Sequence, residues 1–231
     1  MDDDFRRSRY AELLDTRPEW FTNPPGAPFE ILTDPGEIAE AEAVVAARLA
    51  RAGRPASEAA TGVVYADQYG MVVRDAVRAG GDYGTYRRYV APDDTPGVVV
   101  LPRFGGDVVL LRHFRHSTRD WHLELPRGDG TPGADPADDA RRELREEIGA
   151  DAATLRDLGA VHADTGLCGT PVRLFHAELA GPPVVADAGE GIAAVELVTP
   201  AVFAGLIADE TITDGFTINA YARAALRGLL S

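Results

Sequence analysis

The chain has 231 residues, 45% of them hydrophobic and 26% charged, with a formal net charge of −14 at pH 7. That length supports one sizeable core with an appendage, and the acidic balance excludes the broad basic surface that nucleic acid or an anionic membrane would need. No run of about 18 apolar residues could span a bilayer, and a single cysteine, Cys168, excludes an intrachain disulfide and a thiolate zinc centre made by this chain alone. The acidic start Met1-Asp2-Asp3-Asp4 is unlike a secretory leader, so a cytoplasmic protein is expected. All 23 basic side chains are arginine, so any phosphate clamp here uses planar guanidinium forks rather than ammonium groups.

In chain order, Pro18, Pro24, Pro25, Pro28 and Pro35 break the first segment into turns and extended pieces. A helix is expected after Asp34 as N-cap and Pro35 at the first helical position, with Ile38, Val45 and Leu49 on one face, ending at Gly53-Arg54-Pro55. From Val63 onward short strand-type runs dominate: Met71 to Val77, Tyr86 to Val90, Val98 to Leu101, Val108 to Leu111 and Trp121 to Leu125. Gly105-Gly106-Asp107 between two apolar runs reads as a hairpin turn. One helix interrupts at Pro136 to Ile148, strands follow at Leu155 to Val161, Val172 to Leu179 and Ile192 to Val198, and helices begin near Thr199-Pro200 and Asp214. Strands on both sides of a central helix, with helices closing the chain, predict an α/β sandwich with a mixed sheet and a mostly irregular or helical N-terminal extension. The extension is placed at residues 1–61, with one helix, and the main domain at residues 62–231.

The stretch Gly128 to Gly149 carries the chemistry. A glycine-rich loop leads into a helix with Asp135 as N-cap, Pro136 at the first position, Asp138 and Asp139 in the first turn and Gly149 as the stop. Glu143, Glu146 and Glu147, spaced i, i+3 and i+4, share one face. On spacing alone that face is either solvated, with Arg142 and Arg145 as counter-charges, or a site for a hard cation such as Mg²⁺ or Mn²⁺.

The order of residues narrows the choice. Arg142-Glu143-Leu144-Arg145-Glu146-Glu147-Ile148-Gly149 resembles the R-E-U-x-E-E-x-G half of the Nudix box, and Gly128 stands where that box begins. Glu124-Leu125-Pro126-Arg127-Gly128 resembles the E-L-P-A-G lead-in of ADP-ribose pyrophosphatases. Arg112-His113-Phe114-Arg115-His116 is similar to their R-Q-Y-R-H segment, and Ile212-Thr213-Asp214-Gly215-Phe216-Thr217 to a segment near their C-terminus. The resemblance covers roughly residues 62–231 and departs from the box at Ala134, where the family carries Glu.

The resemblance implies a Nudix α/β/α sandwich and a Mg²⁺-dependent hydrolase that cleaves the pyrophosphate bond of a nucleoside diphosphate linked to a sugar, foremost ADP-ribose to AMP and ribose 5-phosphate. Carried onto this sequence, it makes Glu143, Glu147 and Glu146 metal ligands together with the Arg127 backbone carbonyl, and Arg142 the residue that positions the glutamates. Glu190 is the expected base or further ligand, with Asp187 as fallback. Arg115 is the candidate grip on the substrate phosphates, and Glu124 either binds ribose or base or pairs with an arginine. Trp121, Tyr86 and Phe104 are candidates for adenine stacking. The resemblance also implies a homodimer, with neither nucleic acid nor membrane as partner. Another nucleotide sugar, a dinucleotide or coenzyme A fits the same box, and a non-catalytic nucleotide-binding Nudix module is the alternative that Ala134 keeps open.

Overall fold

The computed structural model describes residues 3–91, 95–186, 189 and 191–230. The chain divides into two compact units, Met1–Asp94 with Asp164–Gly169, and Thr95–Ala163 with Thr170–Ser231.

The first unit runs α1 (Asp3–Thr16), a 3₁₀ turn (Pro18–Phe21), β1 (Phe29–Ile31), α2 (Pro35–Arg51), a second 3₁₀ turn (Ala56–Ala59), β2 (Gly62–Ala66), β3 (Met71–Ala79) and β4 (Asp82–Val90). Helix α2 starts as its sequence predicts: the Asp34 carboxylate accepts from the Gly36 and Glu37 amides at 2.9 and 3.0 Å. Helix α1 is an addition to the sequence expectation. Its buried face is Arg6, Tyr10 and Leu13, a helical repeat in which two of the three residues are polar, so apolar periodicity alone does not reveal it. Tyr10 donates to Asp75 at 2.9 Å, and Asp75, 1% exposed, is held in turn by Arg88 at 2.6 Å. Burial, and then the Asp75 charge, raise the Tyr10 phenol well above its ordinary range. Strand β3 is the centre of an antiparallel sheet, with β4 along one edge and β1 and β2 sharing the other.

The second unit holds β5 (Val98–Phe104), β6 (Asp107–Arg115), β7 (Asp120–Glu124), β8 (Arg127–Gly128), α3 (Pro136–Ile148), β9 (Ala152–Val161), β10 (Val172–Leu179), β11 (Ile192–Val198), α4 (Pro200–Ala208) and α5 (Gly215–Leu226). The sheet order is β11-β6-β5-β10-β9, with β7 on β6 and β8 on β5; β5 and β10 are parallel and the other pairings antiparallel. The expected hairpin joins β5 to β6, with Gly105 and Gly106 at φ of 62° and 99°, values glycine reaches without a Cβ penalty.

Alternation along β5 and β6 builds a core on each face. Val98, Val100, Val109 and Leu111 pack with Ala140, Leu144 and Ile148 of α3. Val99, Leu101, Val108 and Leu110 pack with Phe203 of α4 and with Ala220 and Ala224 of α5. A sheet buried on both faces reads as a near-continuous apolar run, which is what Val98 to Leu101 is. The result is the expected α/β/α sandwich. Among the described residues no helix is long and apolar enough to cross a membrane.

Candidate active site

Helix α3 presents the acidic face. Asp135 caps it, accepting from the Ala137 amide at 2.9 Å, and Gly149 ends it. Apolar Ala140, Leu144 and Ile148 anchor one stripe in the core, which fixes the rotation of the helix and draws Glu143 and Glu147 inward, to 5% and 1% exposure. Glu146, one step around, stays exposed.

The two buried carboxylates meet the backbone of β8. The Arg127 amide donates to Glu147 Oε2 at 3.0 Å. A Cβ at Gly128 would lie 2.1 Å from Glu143 Oε1 and 2.4 Å from Oε2, so only glycine lets the chain pass this close to the Glu143 carboxylate. Two acidic side chains one helical turn apart, both against the 127–128 backbone, form a hard oxygen donor set suited to a divalent cation. The fit rests on the buried Glu143 and Glu147 pair and the 127–128 backbone beside it; among the described residues no group of three or more acidic, histidine or cysteine side chains is placed to hold a metal.

Arg142 ties the helix to its loop. Its Nη1 lies 2.7 Å from both Glu143 Oε1 and Glu146 Oε2, while Nη2 donates to the Asp129 carbonyl at 2.8 Å and approaches Asp139 at 3.3 Å. Asp139 also accepts from the Thr131 amide and hydroxyl at 3.0 and 2.7 Å. Burial pushes its carboxyl up, but the Thr131 and Arg142 hydrogen bonds outweigh that and hold it below the usual range. Asp139 and Thr131 did not stand out as site residues in the sequence, although Asp139 shares a helical face with Arg142 and Glu143. Ala134 lies exposed in this loop, its amide donating to the Thr131 carbonyl at 3.0 Å.

A second charged group surrounds Glu124 at the end of β7, 1% exposed. Its Oε1 faces Arg115, at closest contact, and His113 Nδ1 at 3.1 Å; its Oε2 accepts from Arg127 at 3.2 Å. The Arg127 guanidinium continues to Asp214 at 2.8 Å and covers the Phe216 ring at 5.5 Å. Asp214 caps α5 through the Thr217 amide and hydroxyl, and the Thr217 hydroxyl accepts from the Leu125 amide at 3.1 Å. The Glu124-to-Gly128 segment and the Ile212-to-Thr217 segment, two separate motifs in the sequence, are therefore one structure.

Arg115, Arg127, Gly128 and Phe216 line a cavity of about 420 Å³. Of the stacking candidates, Trp121 is 45% exposed and edge-on to Phe114 at 5.5 Å, Phe104 packs against the core, and Tyr86 lies in the first unit, its hydroxyl donating to the Gly166 carbonyl at 2.8 Å. Glu190 and Asp187 lie outside the described residues. The structure thus brings together Glu143, Glu146, Glu147, Arg142 and the Arg127 backbone in one cluster, and Arg115, Glu124 and the Arg127 side chain in another.

No curated protein sequence matches the chain. Among solved structures it is similar to one described as an ADP compounds hydrolase, at a TM-score of 0.63 and 21% identity over 73% of this chain and 92% of the other; at that identity the likeness is one of fold. The family model of the NUDIX domain matches residues 93–215, more than half of the chain and the whole span from β5 to the cap of α5, and the chain belongs to the Nudix family.

Proposed function

We propose that this protein is a Mg²⁺-dependent hydrolase that cleaves the pyrophosphate bond of a nucleoside diphosphate linked to a sugar, with ADP-ribose, giving AMP and ribose 5-phosphate, as the leading substrate. The observation that carries this is the burial of Glu143 and Glu147 against the Arg127–Gly128 backbone, beside a cavity that includes Arg115 and Arg127.

In this reading Glu143 and Glu147, with the Arg127 carbonyl, would hold the divalent ion, and Glu146, exposed and paired with Arg142, would join them by turning inward. When bound, that ion screens the adjacent phosphate charges and activates a water for in-line attack at phosphorus. Arg142, in contact with both Glu143 and Glu146, orients the carboxylates. Arg115 grips a phosphate as a planar, permanently charged fork, and Glu124, already paired with both guanidinium groups, sets the position of Arg115 and Arg127. Glu190 takes the proton of the attacking water. The fold likeness to an ADP compounds hydrolase supports an ADP-containing substrate, and the resemblance of the Ile212-to-Thr217 segment supports ADP-ribose within that class. We further propose that the chain works as a homodimer, which light scattering on the full chain checks.

The test is hydrolysis of a panel of ADP-ribose, other nucleotide sugars, a diadenosine polyphosphate and coenzyme A with Mg²⁺ or Mn²⁺, read as phosphomonoester released to a phosphatase. Cleavage of ADP-ribose that is lost in Glu147→Gln is the expected result. Cleavage of another compound instead keeps the chemistry and corrects the substrate. Tight nucleotide binding with no turnover of any compound overturns the proposal in favour of a binding module marked by Ala134.

A further inference from the structure

The first unit contains a cavity of about 570 Å³ that shares no residue with the candidate active site. Its wall includes Arg48, Arg54, Arg74 and Arg87 and a single carboxylate, Glu58. In a chain of net charge −14, this concentration of positive charge runs against the overall composition. Glu58 is already paired with Arg54. Arg74 donates to the Ala60 carbonyl at 2.8 Å and Arg48 to the Tyr83 carbonyl at 3.3 Å, and among the described residues Arg48, Arg74 and Arg87 have no ion pair with a carboxylate.

Arg74 and Arg87 are direct partners in the antiparallel β3–β4 ladder. Side chains at such positions project from the same face of the sheet, and like charges there repel. Burial first, then the charge of Arg87, hold the Arg74 guanidinium below its ordinary pKa. Arg48 is in the last turn of α2, where a cation also favours the helix dipole; neither β-strand arginine has such a role. Three elements thus direct guanidinium groups at one hollow whose size matches small-ligand pockets, and Tyr86, 41% exposed, adds an aromatic wall.

We propose that this cavity binds a small anion carrying two or more phosphate groups, held by Arg48, Arg74 and Arg87. Guanidinium forks match phosphate oxygens in bidentate geometry, and a multiply charged anion between Arg74 and Arg87 turns their repulsion into shared attraction. The proposal is independent of the hydrolytic reading.

Isothermal titration of the full chain with inorganic pyrophosphate, in a chelator so that metal-dependent binding elsewhere is silent, tests it. One site per chain is expected in the wild type, weakened about tenfold or more in Arg48→Ser/Arg87→Ser and unchanged in Arg115→Ser. Arg87→Glu is the second variant: it places opposite charges across the ladder, so its fold is retained while binding is lost. The wild type failing to bind pyrophosphate, or Arg115→Ser abolishing binding that Arg87→Glu retains, would overturn the proposal.

Discussion

In the second unit Arg115, Arg127 and Arg142 each contact at least one carboxylate, whereas in the first unit Arg74 and Arg87 face each other across a β-ladder and are held by backbone or by nothing charged among the described residues. The same side chain does two jobs. Where a buried carboxylate neutralises it, the guanidinium is a fixed strut: Arg127 joins Glu124, Asp214 and Phe216, and Arg142 joins the acidic helix to its loop. Where it is left among its own kind, its charge is directed at whatever enters the cavity. Buried ion pairs contribute little net stability but become costly when one partner is removed, so the two sets of arginines should respond to mutation in opposite directions.

The largest effect is expected at Glu124. Glu124→Ala leaves Arg115, Arg127 and His113 around a missing charge, and a stability loss of about 3–5 kcal/mol in urea denaturation is predicted. Arg127→Ala removes the link between the Glu124 and Asp214 segments; a loss of about 2 kcal/mol is expected, together with a rise in KM for the nucleotide, because the same side chain lines the cavity. A rise in KM without any change in stability would separate the strut from the pocket.

Asp139→Asn is predicted to cost about 1–2 kcal/mol near neutral pH, since it weakens charge-assisted bonds to Thr131 and Arg142. The folded carboxyl of Asp139 is held below its unfolded value, so its contribution is complete above roughly pH 4 and is lost as pH falls through the folded pKa. Wild-type and Asp139→Asn stabilities should therefore converge in acid. Arg87→Glu is the smallest effect and has the opposite sign: a gain of about 0.2–1 kcal/mol at low salt, fading as salt is added. A loss of stability there would mean that Arg87 is a strut after all.

The box helix was legible because its signals are local: a cap, a proline, an i, i+3, i+4 carboxylate set and a terminal glycine lie within 15 consecutive residues of the sequence, Asp135 to Gly149. The β5–β6 hairpin was legible for the same reason. Periodicity located α1 less well, because Arg6 and Tyr10 bury polar side chains through long-range partners such as Asp75. The contact of Arg127 with Asp214 spans 87 positions, and no spacing rule predicts it; both motifs could be recognised singly, but their union is tertiary. The arginine-lined cavity was hidden similarly, since Arg48, Arg74 and Arg87 look like ordinary surface charges until β3 and β4 pair. The expectation for Glu190 falls on a residue outside the described ones, and its role rests on the resemblance alone.

The central claim is that Glu143 and Glu147 form a divalent-cation site on α3. Titration of Mn²⁺ into the full chain, followed by electron paramagnetic resonance of the free ion, measures this without requiring turnover. The account predicts binding by the wild type and an affinity lowered by about 10- to 100-fold or more in Glu147→Gln, with the fold unchanged by circular dichroism. Equal Mn²⁺ affinity in the wild type and in Glu147→Gln would contradict it and return the acidic face of α3 to a purely structural role.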